Sequence, residues 1–223
     1  MPPRGHYLAH EVGRLAGVSG QCIGQWARNG YIRSSQSEGP PRVYSYQDVG
    51  EALYVHALRE AHVAYKAIKV AIDHLRREHG YDWPLTHAEL SVPTDHPMHL
   101  IKNGKQKRSV IEGMPSAGID TGTGEPVLPY IDLLQIAIDL RRGGWAARDL
   151  NIEHIEVDPD RLSGRPVIAG LRVPAEDVAL LAEQAGGRDT LYEDYALTVR
   201  QVDDAVLWWR TVRSYDNDGE RAA

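Results

Sequence analysis

Residues 163–178 read Ser-Gly-Arg-Pro-Val-Ile-Ala-Gly-Leu-Arg-Val-Pro-Ala-Glu-Asp-Val, and their order decides how the C-terminal part of the chain folds. Val167, Ile168, Leu171 and Val173 supply the apolar body of a short strand. Gly164 and Gly170 interrupt it where the backbone bends or another backbone comes close. Pro174 has no amide hydrogen for a sheet ladder, but it suits the opening of a helix. Glu176 and Asp177 then fall in the first helical turn, where the helix dipole favours negative charge. The stretch therefore reads as strand, tight exit, helix.

Working outward, His154-Ile155-Glu156-Val157 alternates as a strand that pairs with 167–173. Helices are expected over about 174–185, 189–195 and 199–213, with Gly186-Gly187 separating the first two and a Thr198/Gln201 capping box opening the third. Asp158-Pro159, Gly164-Arg165-Pro166-Val167-Ile168-Ala169-Gly170 and Arg172-Val173-Pro174 resemble a small domain-of-unknown-function family of candidate antitoxins. Leu171 stands where that family usually has Thr. The resemblance runs from about Ile155 to Arg210. It implies a strand pair followed by a helix-turn-helix, and the antitoxin half, of VapB type, of a bacterial toxin–antitoxin pair. The toxin it implies is a PIN-type ribonuclease.

The N-terminal part has its own pattern. Leu8, Val12, Leu15 and Ala16 share one helical face, and Gly17 stops that helix. Ser19 caps a second helix with Ile23, Trp26 and Ala27 inward, and Asn29-Gly30 ends it. Tyr31-Ile32 and Arg42-Val43-Tyr44 read as short strands around a Pro/Ser/Gly-rich loop, and Ser45 opens a third helix. Leu15-Ala16-Gly17-Val18-Ser19, Trp26-Ala27-Arg28-Asn29-Gly30-Tyr31-Ile32 and Arg42-Val43-Tyr44-Ser45-Tyr46-Gln47-Asp48-Val49 resemble the winged helix-turn-helix head of the MerR regulator family, over about residues 7–75. A second helix lying in the major groove presents Ser19, Gln21, Gln25 and Arg28 to the DNA. Gln pairs bidentately with adenine, and Arg with guanine or phosphate. The resemblance implies that Arg42 and Tyr44 on the wing meet the sugar-phosphate backbone. Cys22 lies inside the second helix and reads as a small packing residue; no thiol metal site follows from the chain's single cysteine.

Between these parts, apolar positions from Leu53 to Leu75 recur at helical spacing, with a break near His62-Val63-Ala64 and a stop at Gly80. Residues 90–92, 99–101 and 109–111 read as strands, and Lys102-Asn103-Gly104-Lys105 as a basic hairpin tip. Residues 113–126 read as a linker. His87, His96 and His99 lack the partners of a metal site. Residues 130–142 form an apolar helix ended by Gly143-Gly144.

The 223 residues carry a formal net charge of −6. Split along the chain, residues 1–80 carry ten Lys and Arg against seven Asp and Glu, 81–140 four against eight, and 141–223 eleven against sixteen. A basic head joined to an acidic body fits DNA binding at one end and protein contact at the other. The acidic C-terminal helices repel phosphate, so Asp203 and Asp204, with one of Trp208 and Trp209 facing outward as a hot spot, are assigned to a protein partner.

The expected fold is mainly α with small β elements. A winged helix-turn-helix occupies 1–80, a β-hairpin and linker region 81–129, an antitoxin-like helical domain 130–215, and a frayed tail 216–223. No apolar run reaches the length of a membrane span and no secretory leader opens the chain, so a cytoplasmic protein is expected. The sequence holds no Ser-His-Asp spacing, glycine-rich phosphate loop or paired metal-ligand motif, so neither enzymatic activity nor a cofactor is expected. The expected partners are operator DNA, a cognate toxin and a second copy of the chain. The alternative is a stand-alone MerR-like regulator answering a small-molecule effector, although the sequence shows no polar cluster resembling a ligand pocket.

Overall fold

The computed structural model describes residues 3–80, 82–86, 98–100, 118–119, 126–129 and 131–221. The protein is mainly α with small β elements. Helix α1 (Ala9–Ala16) ends at Gly17, whose φ of 78° places it in the left-handed region that glycine adopts freely. Helix α2 (Gly20–Asn29) starts at Ser19, whose hydroxyl accepts the Cys22 amide at 3.2 Å. Helix α3 (Tyr46–Glu60) opens on a reciprocal capping box between Ser45 and Asp48. His62, at φ 61°, turns the chain into α4 (Tyr65–His79), which stops at Gly80.

The wing is slighter than two strands. Ser37 bridges Val43, and Tyr31-Ile32 form no strand. Tyr44 pairs instead with Tyr7: each donates its amide to the other's carbonyl, at 2.9 and 3.0 Å.

In the middle, β1 (Met98–Leu100) and β2 (Gly118–Ile119) flank β3 (Pro126–Pro129) in an antiparallel sheet, with Leu100 opposite Val127. The hairpin tip at 102–105, the strands at 90–92 and 109–111, most of the 113–126 linker, His87 and His96 lie outside the described residues.

Helix α5 (Leu133–Arg141) is capped by Asp132, and a six-residue helix α6 (Trp145–Leu150) follows between Gly144 and Asn151. Strands β4 (Ile155–Glu156) and β5 (Val167–Ile168) pair antiparallel, Ile155 opposite Ile168. The expected strand is cut short: Gly170, at φ 78°, turns the chain so that Val173 returns its carbonyl to the Ile168 amide at 2.8 Å. Leu171 therefore sits in an exposed bend. Helices α7 (Ala175–Ala182), α8 (Gly187–Glu193) and α9 (Val199–Arg221) complete the chain. Helix α9 continues past Ser214 to Arg221, where a frayed tail was expected.

One side of α9 packs on α7; others meet α1, α2 and α6. The buried side chains of head and body form one continuous cluster, from Tyr7 through Leu53 and Ile155 to Val212. Close backbone approaches hold the seam. A Cβ on Gly144 would lie 2.2 Å from the Leu15 carbonyl oxygen, and one on Gly17 2.9 Å from the Trp145 ring. Trp145 in turn meets His56 edge-on, with ring centroids 4.2 Å apart, and Arg148 lies over its face. The N-terminal segment adds a strap: His6 donates its amide to the Ser163 carbonyl at 3.0 Å, and Arg4 pairs with Asp160.

Candidate nucleic-acid interface

Helix α2 buries Ile23 and Trp26 and leaves Gln21, Gln25 and Arg28 exposed. Spacings of four and three place these three on one stripe. The Ser19 hydroxyl is committed to its cap, so it orders the start of the helix and is not free to read a base edge. Gly24 lies within the stripe, and a Cβ there would be 3.5 Å from the Arg28 guanidinium.

A cleft of about 880 Å3 beside α2 brings Gln21, Arg28, Arg42 and Tyr44 together, although they come from two separate segments of the chain. Arg42 donates a guanidinium N–H to the Ser34 hydroxyl at 3.1 Å, and the residue stays half-exposed. Tyr44 departs from the expectation. Its side chain is 0% exposed, because pairing with Tyr7 turns it into the core, so it forms wall and cannot reach a phosphate in this conformation. Burial pushes its hydroxyl pKa up. Burial likewise pushes the Cys22 thiol up to about 11, which keeps it protonated and unreactive.

Two carboxylates share the cleft, Glu38 and Asp216. Asp216 was invisible to sequence reasoning, because α9 brings it back across 202 positions to Arg14, whose Nη2 lies 2.9 Å away. Arg14 also lies over the Trp209 ring, 4.8 Å from its centroid.

The residues assigned to a protein partner are largely engaged within the chain. Trp208 and Trp209 are 3% and 6% exposed. Adjacent helical positions point about 100° apart, yet α9 is covered on more than one side, so both indoles are core and neither faces outward. Trp208 donates its indole N–H to the Gly143 carbonyl at 2.8 Å. Asp204 accepts the Glu153 and His154 amides at 3.1 and 3.0 Å and touches His154 Nδ1 at 2.7 Å. Asp203 is exposed and holds Arg188 at 2.8 Å. A different surface remains open nearby: Glu193, Asp194, Tyr195 and Val199 are exposed around the α8–α9 turn. Among the described residues, no group of three His, Cys, Asp or Glu is placed to hold a metal ion, and no helix is long and apolar enough to cross a membrane.

The strand pair, the bend at Gly170 and the helices after it fall within a recognised unit. Residues 155–208 match the model of the DUF433 family, described as a protein of unknown function. The chain carries a DUF433 domain. Over 93% of its length it is also 27% identical to the uncharacterized protein Rv2308 of Mycobacterium tuberculosis (strain ATCC 25618 / H37Rv), covering 91% of that protein. Its fold is similar to the crystal structure of Rv2018 from Mycobacterium tuberculosis, with a TM-score of 0.52 and 19% identity over 92% of this chain and 97% of the other. Both alignments extend well beyond the DUF433 domain, so the likeness takes in the head as well as the body.

Proposed function

We propose that the protein is an antitoxin that binds operator DNA through its MerR-like head and neutralises a PIN-type ribonuclease through its DUF433 region. The observation that carries the DNA reading is the exposed Gln21–Gln25–Arg28 stripe on α2 with Arg42 beside it. Glutamine and arginine side chains are the types that read adenine and guanine edges from a helix in the major groove. Arg42 adds a phosphate contact, which positions the head without reading sequence. Two heads on a two-fold operator need a dimer, with half-sites about 34 Å apart. In this reading the protein turns over no substrate and holds no cofactor.

The toxin contact rests on the DUF433 match and on charge. The exposed acids Glu193 and Asp194, beside exposed Tyr195 and Val199, complement a basic RNA-binding surface. This patch replaces Trp208 and Trp209 as the contact surface.

The test is reconstitution. The purified protein is mixed with DNA from upstream of its own gene and, separately, with PIN-type ribonucleases from the same cells. Retarded DNA whose affinity falls steeply with salt, and a stable complex that silences the nuclease, are the expected results. Failure to bind and silence any PIN-type nuclease would sink the antitoxin half. Failure to retard that DNA in low salt would sink the operator half.

A further inference from the structure

A second cleft, of about 620 Å3, lies between the chain after α2, the wing and the end of α4. Its volume is within the range of small-molecule sites, roughly 300–1,000 Å3. The Gln21–Gln25–Arg28 stripe takes no part in its lining, whereas Arg42 and Glu38 line both this cleft and the one beside α2.

Three arginines line it, each from a different segment: Arg33 after α2, Arg42 on the wing and Arg76 on α4. A guanidinium carries five N–H donors, so three supply about fifteen. Few are taken. Arg33 gives one to Asp82 at 2.5 Å, Arg42 one to Ser34 at 3.1 Å and Arg76 one to the Gly30 carbonyl at 3.2 Å. Ser34 is 4% exposed, and its hydroxyl, which accepts Arg42, keeps its own hydrogen as a further donor.

The charges do not cancel. Asp82 answers Arg33, but among the described residues no carboxylate lies within ion-pair distance of Arg42 or Arg76. Glu38, the other carboxylate in the lining, is exposed. Glu51 on α3 feels both Arg76 and Arg33, yet burial pushes its pKa up to about 8, so at neutral pH it is mostly protonated and neutralises neither. Three cations against two anions leave the lining positive. The space is also clear of side chains at two helix ends, because Gly30 and Gly80 close α2 and α4 there, and a Cβ on Gly80 would meet nothing within 4 Å.

A phosphoryl group presents several strong acceptor oxygens, and guanidinium forks match them in pairs. We propose that this cleft binds a small phosphorylated anion, its oxygens meeting Arg42, Arg33 and the Ser34 hydroxyl while Arg76 adds positive charge. A bound anion and a DNA phosphate then compete for Arg42, which belongs to both clefts. The site is tested without DNA, so it stands or falls apart from the operator reading.

The experiment is calorimetry on the full chain at one ionic strength, so that general screening is constant. The probes are pyrophosphate and malonate, the second an anion with carboxylates in place of phosphoryl groups. Pyrophosphate is expected to saturate one site with about millimolar affinity or tighter, and malonate to bind at least about tenfold more weakly. Arg33→Gln and Arg42→Gln should each weaken pyrophosphate by about tenfold. Arg172→Gln, an exposed arginine outside the cleft, should leave it unchanged. Glu38→Gln should tighten it by about threefold, a gain that loss of folding cannot imitate. Absence of saturable binding, or equal weakening by Arg172→Gln and Arg33→Gln, would overturn the site. Malonate binding as tightly as pyrophosphate would overturn the phosphoryl ligand. If pyrophosphate does not bind while Arg76→Gln weakens binding of a DNA duplex, the free ligand is overturned and the cleft takes DNA phosphate instead.

Discussion

Gly164 leaves its α-carbon bare directly against the hydroxyl of Tyr7: a Cβ at 164 would sit 1.8 Å from Oη, at a φ of 93° that only glycine adopts without strain. This one approach joins the first residues of the head to the DUF433 domain, 157 positions along the chain. Gly164→Ala should therefore destabilise the protein by about 3 kcal/mol or more, combining backbone strain with a clash. Tyr7→Phe removes the nearest colliding atom, an unpartnered buried hydroxyl, and leaves the ring carbon Cζ at 2.3 Å, so in the Gly164→Ala background it should restore a part of the loss. Urea unfolding of both single variants and the double variant measures that coupling. Additive effects would mean that the two residues do not meet.

Trp208 gives a second prediction, which separates packing from partner binding. Trp208→Ala opens a large cavity and orphans the Gly143 carbonyl, so the isolated protein should lose about 3–5 kcal/mol. Leu207→Ala, at an exposed neighbour, should change stability by no more than about 1 kcal/mol. Thermal unfolding without any partner is the measurement. An unchanged Tm for Trp208→Ala would return that residue to the surface.

Glu51 makes the stability depend on pH. It is fully buried on α3, one oxygen accepts the Leu85 amide at 3.0 Å, and the other has no partner among the described residues. Burial pushes its pKa up from 4.5 to about 8. Below about pH 4.5 the folded and unfolded chains both hold this proton. Between there and about pH 8 the unfolded chain releases it while the folded chain does not, so this group's contribution falls as pH rises and is lost above about pH 8. Glu51→Gln keeps the acceptor for Leu85 and removes the titration. The variant should gain little at about pH 5 and a few kcal/mol at about pH 8.5, read from urea midpoints. Equal gains at both values would show that Glu51 is ionised in the folded protein.

Local chemistry was legible in the sequence, and long-range consequences were not. Gly17, Ser19, Gly30, Ser45 and Gly80 marked helix ends correctly because each acts through its own backbone or its nearest amides. The pairing of β4 with β5 followed from alternation within 14 residues. Helix α6 was missed because six residues hold too little periodicity to register. The burial of Tyr44 depends on Tyr7, and the course of α9 beyond Ser214 accompanies an Asp216–Arg14 pair spanning the chain. The stripe of Gln21, Gln25 and Arg28 could be read from helical spacing, whereas the presence of Asp216 in the same cleft required the fold.

That carboxylate yields the last prediction. A phosphate approaching Arg28 and Arg42 enters a cleft that also holds Asp216, and like charges at close range oppose each other. Asp216→Asn should therefore tighten DNA binding, most clearly at low salt, where such repulsion is least screened. Arg42→Ala should weaken binding and reduce the slope of log K against log salt by about 1, as loss of one phosphate contact requires. Gln21→Ala and Gln25→Ala should instead leave that slope unchanged and relax the preference for particular base pairs. Arg14→Ala separates the local field from the fold: it frees Asp216 from its partner, so binding should weaken even though Arg14 itself belongs to the seam. Titrations of two DNA duplexes that differ in sequence, each at two salt concentrations, distinguish these cases. If Asp216→Asn and Arg14→Ala shift affinity in the same direction, the acidic end of α9 does not act on the interface through its charge, and its pairing with Arg14 serves only to hold α9 on the head.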